Sequence, residues 1–78
     1  MRNIKEVRKV LGTHRTVEAL VGYMYSESEG LTFRDFVLLG AQAALLRARQ
    51  DGADVEVLAG CTRLVTSALQ LFGVEETN

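Results

Sequence analysis

The segment LTFRDFVLLGAQAALLRARQDGAD, residues 31–54, decides the fold. Thr32 stands where a helix N-cap belongs, and Asp35 follows at the spacing that lets two side chains serve each other's backbone amides in a capping box. Leu31 and Phe36 flank this start as a hydrophobic staple. The far end is equally marked, because Gly52 follows Gln50-Asp51 and can take the left-handed conformation that closes a helix. The spacing predicts a helix over 33–50.

Working outward, Asp54 caps a further helix with Glu56 in its first turn, and Gly73 follows its last apolar pair, Leu71-Phe72. On a wheel of about 100° per residue Val57, Leu58, Cys61, Leu64, Val65, Ala68, Leu69, Leu71 and Phe72 share one arc. Glu56, Ala59, Thr62, Arg63, Thr66 and Gln70 take the other, which predicts an amphipathic helix over 55–72. On the N-terminal side Ile4, Val7, Val10, Leu11, Val17, Val21 and Met24 keep a helical stripe. That stripe predicts one long helix over about 3–26. Gly12-Thr13 is the place where it could divide, although a glycine inside costs only ~1 kcal/mol against alanine. Ser26-Glu27-Ser28-Glu29-Gly30 reads as a loop. The expected fold is all-α, three helices in a small bundle.

At 78 residues the chain has room for one helical domain, 1–78, and one core. Cores of this size net only ~3–5 kcal/mol, so small domains add disulfides, a metal or a second subunit. A lone cysteine, Cys61, makes no internal disulfide, and with a single histidine, His14, it offers no zinc set. Oligomerisation is the support left. The 47% hydrophobic content without proline fits a packed helical chain and argues against disorder. The strongly apolar run from Phe36 to Leu46 is too short to span a bilayer, and the N-terminus lacks the apolar block of a secretory signal. The expectation is a cytoplasmic protein that does not use a membrane.

The central helix is unusually poor in polar residues. Leu38 and Leu45 fall on the wheel among Arg34, Gln42 and Arg49, on the arc expected to face water. On another side Val37, Gly40, Ala41, Ala44 and Ala48 form a low strip that lets a neighbouring helix come close. The leucine side, with Arg34, Gln42 and Arg49, is therefore the expected interface of a homodimer or of a partner protein, the alternative being a three-helix fold in which this helix lies in the middle and its neighbours within the chain cover the leucines.

Signatures of catalysis are missing: there is no P-loop, GxGxxG, nucleophile elbow or HExxH. His14 reads as a packing histidine or one at a helix break, and Cys61 as a small hydrophobe in the core. Asp51 to Glu56 lacks the length of a calcium loop and reads as consecutive caps. No enzymatic activity, cofactor or metal is expected. Charge is asymmetric, however, since residues 1–15 carry Arg2, Lys5, Arg8, Lys9 and Arg15 against Glu6, a net +4 that leaves −5 for the rest. Lys5, Arg8, Lys9 and Arg15 would form a basic flank for an anionic partner. The pI near 5.7 and the cation-poor last helix disfavour nucleic-acid binding. The sequence thus points to a small homodimeric regulator or adaptor that binds a protein partner, with a nucleic-acid-binding regulator as the alternative.

Overall fold

The computed structural model describes residues 3–77, with side chains described through Gly73. Within that range the chain is all-helical: α1 (Ile4–Thr13), α2 (Val17–Ser26), a 3₁₀ turn (Ser28–Gly30), α3 (Phe33–Gln50) and α4 (Val55–Thr77). The long N-terminal helix expected over 3–26 is two helices, and this is the main correction to the fold.

The break has local causes. Asn3 caps α1 by accepting a hydrogen bond from the Glu6 amide at 3.1 Å. At the other end the Thr13 hydroxyl donates to the Lys9 carbonyl at 2.8 Å, the side-chain competition that makes threonine a poor helix residue. The chain then runs extended at His14, and Thr16 starts α2 by accepting from the Ala19 amide at 3.1 Å. A cap of this kind contributes about 1 kcal/mol. The decisive term is burial. Val7 and Leu20 are both fully buried, yet on one straight helix they would point about 140° apart. Breaking the helix turns both into the same core.

The predicted bounds of α3 hold at both ends. Thr32 and Asp35 form the capping box, and Gly52 closes the helix with φ +67°, a conformation costly for residues with a Cβ. The Ala53 amide donates to the Ala48 carbonyl and the Gly52 amide to that of Arg49, satisfying two carbonyls of the last turn. Helix α4 runs beyond the expected end at residue 72, through Gly73 to Thr77. A helix of its length spans about 35 Å, which matches the 36 Å long dimension of the molecule.

Val7 from α1, Leu20 from α2, Leu38 and Leu39 from α3 and Ala68 from α4 form the buried cluster, with Met24, Leu46, Leu69 and Phe72 packed partly around it. Every α-helix contributes to it. Helix α3 supplies most of the buried side chains, including Ala41 and Leu45, which explains its poverty in polar residues.

Candidate interaction surface

Leu38 and Leu45 are not on the surface. They are 1% and 5% exposed, and Leu38 packs with Val7 and Leu20 of the two N-terminal helices. The break between α1 and α2 lets both helices pack on α3, and the leucine side is buried within the chain. Both leucines are therefore core residues, which corrects the expectation that they form an interface.

The polar residues assigned with them divide in the same way. Arg34 is half-buried, and its guanidinium donates to the Asp35 carboxylate at 3.0 Å. Gln42 is half-buried and borders a recess of about 240 Å³ with Leu11, Arg15 and Arg49. Arg49 is exposed. It also borders a larger open recess of about 450 Å³, shared with Arg15, Thr16 and Glu18 at the start of α2.

The basic flank is likewise divided. Lys5, Arg8 and Lys9 are exposed on α1, but Arg15 lies in the link to α2 and borders the same recess as Arg49. Arg8 and Arg15 do not share one helical face, because the helix ends between them.

His14 ends α1 half-buried. Its Nδ1 donates to the Val10 carbonyl at 3.1 Å, and its ring lies 4.7 Å from that of Tyr23 at a tilt of 45°. The sequence offered a packing histidine or one at a helix break, and His14 is half-buried at the end of α1. Cys61 is half-buried rather than central to the core. Among the described residues no group of histidine, cysteine and carboxylate side chains is arranged to hold a metal ion.

Among the described residues buried charge is confined to Asp35. Burial pushes its carboxyl pKa upward, but hydrogen bonds, those of the Thr32 amide and the Arg34 guanidinium among them, together with nearby positive charge, hold it below the ordinary aspartate value. Among the described residues no buried side-chain polar atom lacks a partner. Asp35 is thus a structural carboxylate spent on the start of α3.

The surplus apolar surface lies elsewhere. On α4 Val57, Leu64 and Leu71 are 50%, 54% and 62% exposed, and they recur every seven residues along one edge of the apolar arc. Leu58, Cys61, Val65, Ala68 and Phe72 occupy the inward part of that arc and are half or fully buried. The arc is about 160° wide, wider than one contact with α3 can cover. Phe33, 80% exposed at the start of α3, adds a second apolar projection beside Phe36. The sequence pattern shows the arc without separating an outward edge from an inward one, so this surface was not anticipated. The sign was there in the heptad repeat of large residues alongside a complete inward set.

From Val55 to Gly73 α4 also has the length and apolar content of a membrane-crossing helix, with a mean hydropathy of 1.3. Thr62, Arg63, Thr66 and Gln70 nevertheless give it a polar side. Comparison with known proteins gives no significant match: no family model fits the chain, and neither curated proteins nor solved structures resemble it.

Proposed function

We propose that this is a small non-enzymatic helical interaction protein, a homodimer that acts in the cytoplasm by binding and modulating a protein partner. The observation that carries the reading is the row Val57, Leu64 and Leu71, half or more exposed on the longest helix. Large apolar side chains left exposed in a row along one helix offer a surface for association. Full burial of a leucine-sized side chain contributes ~1.5–3 kcal/mol, and these three are already about half buried. Doubled across a two-fold axis, they would contribute several kcal/mol, comparable with the ~3–5 kcal/mol of a lone core of this size.

Thermodynamic coupling makes the reading testable. Light scattering should report twice the 8.6 kDa chain mass, and the thermal midpoint should rise with protein concentration. A folded monomer at micromolar concentration, with a midpoint independent of concentration, would remove the homodimer from this proposal. Among the described residues the nucleic-acid alternative keeps Lys5, Arg8 and Lys9 as a common basic face, which is less than a dedicated groove or backbone reader presents.

A further inference from the structure

Helix α4 carries two seams side by side. The inward one meets the rest of the chain. The outward one is Val57, Gly60, Leu64, Ser67 and Leu71, which follows the alternating three-and-four spacing of coiled-coil seams. Large residues occupy one position of the repeat and small ones the other, so the seam alternates in height: Gly60 low, Leu64 high, Ser67 low, Leu71 high.

That alternation constrains what fits. A parallel copy in register would stack leucine on leucine and glycine on glycine, leaving a void at each thin layer, and voids forfeit dispersion contacts. An antiparallel copy centred between Leu64 and Ser67 does the reverse. Leu64 then lies over Ser67 of the partner subunit and Leu71 over Gly60 of the partner subunit, and the two-fold axis repeats both contacts. Small residues opposite large ones let two helices approach toward the lower end of the usual ~8–10 Å separation.

Charge disfavours a neighbouring register. Between Val57 and Gly73 the charged side chain is Arg63, exposed at the polar edge of the outward seam. In the register above it faces Gln70 of the partner subunit, a neutral hydrogen-bonding group. Sliding the copies so that Leu64 meets Gly60 of the partner subunit instead would oppose Arg63 to its own copy, and directly opposed like charges repel. A bilayer has no use for alternating height or for this placement of charge, whereas a second copy uses both.

We propose, resting on the homodimer reading above, that α4 is the dimer contact, with two copies packed antiparallel about a two-fold axis between Leu64 and Ser67. The interface is isologous, each protomer offering the same seam.

Sedimentation equilibrium of the full chain tests this, with circular dichroism as the check on folding. Leu64→Glu should raise the dimer dissociation constant on the order of 100-fold with helix content unchanged, because Leu64 lies outside the core and its charge would be buried only in the dimer. Gln70→Glu, on an exposed position, should tighten the dimer about threefold or more at low salt by facing Arg63 of the partner subunit, and high salt should erase the gain. A dimer indifferent to Leu64→Glu would overturn the α4 contact while leaving the homodimer reading intact. Loss of the dimer with Leu64→Glu, but weakening or no change with Gln70→Glu, would overturn the antiparallel register. A monomer throughout would overturn both readings, as would a monomer that instead binds phosphatidylcholine–phosphatidylglycerol vesicles through Leu64.

Discussion

Thr32 and Asp35 exchange hydrogen bonds across the first turn of α3. The Asp35 amide donates to the Thr32 hydroxyl at 3.2 Å, and the Thr32 amide donates to the Asp35 carboxylate at 3.0 Å. The second carboxylate oxygen accepts from Arg34 Nη2 at 3.0 Å and Nε at 3.2 Å. Each donor prefers the ionised carboxylate, so the capping box and the ion pair depend on the same negative charge.

A pH dependence follows from that charge. Because the folded-state pKa of Asp35 is lowered, its stabilisation is fully present above the unfolded value of ~3.9 and is lost as pH falls through the folded value. Thermal midpoints should therefore be level from neutral pH to about pH 5 and decline below ~4. Asp35→Asn should cost about 1.5–3 kcal/mol at pH 7 and flatten the acid limb. An acid limb unchanged in Asp35→Asn would show that other carboxylates govern it.

The break between α1 and α2 depends on Thr16 as the cap of α2. Thr16→Ala should destabilise the fold by about 1 kcal/mol, measured by urea denaturation. Thr16→Asp should be neutral or slightly stabilising, since aspartate caps as well and favours a helix N-terminus. Equal losses in both variants would mean that the cap contributes little and that burial of Leu20 alone holds the break.

Leu38 and Leu64 separate the core from the surface. Leu38→Ala should cost about 2–5 kcal/mol at any protein concentration, because it opens a cavity among Val7, Leu20 and Leu39. Leu64→Ala leaves that core whole, so its effect on stability should be small at high dilution and should grow with protein concentration as the dimer forms. Similar concentration-independent losses at the two sites would place Leu64 in the core of the folded chain.

Nucleic-acid affinity should be weak at physiological salt. Lys5, Arg8 and Lys9 form the exposed basic face of α1, while Arg15 stands apart in the link to α2. Fluorescence anisotropy with labelled duplex DNA, single-stranded DNA and RNA should show any binding at low salt collapse as salt is raised. Sub-micromolar binding at physiological salt, abolished by Arg8→Ala with Lys9→Ala, would favour the nucleic-acid reading.

Cys61 should label slowly in the folded protein and faster in denaturant. It is half-buried on the inward seam of α4, so access is hindered but not closed. Ellman's reagent with and without urea measures the ratio. Equal rates would show that the inward seam is open to solvent.

Local chemistry determined much of this molecule from its sequence alone. The start of α3 was legible because a capping box involves residues three apart, and its end because Gly52 needs no tertiary contact to favour positive φ. The all-helical class and the apolar arc of α4 were legible for the same reason, since both follow from periodicity within a single element. What the sequence could not fix was which apolar face meets which. Leu38 and Leu45 look misplaced on an isolated helix, yet both are buried in the folded chain, and Leu38 packs with Val7 and Leu20 only because of a break the continuous stripe concealed. The cue was Leu20, about 140° out of phase with Val7, but a phase shift becomes informative only when both residues must enter one core. The tertiary structure likewise decided that α4 buries half of its arc and leaves Val57, Leu64 and Leu71 outward. A hydrophobic pattern states how much surface seeks cover, whereas packing in three dimensions decides how much of it the chain itself can provide.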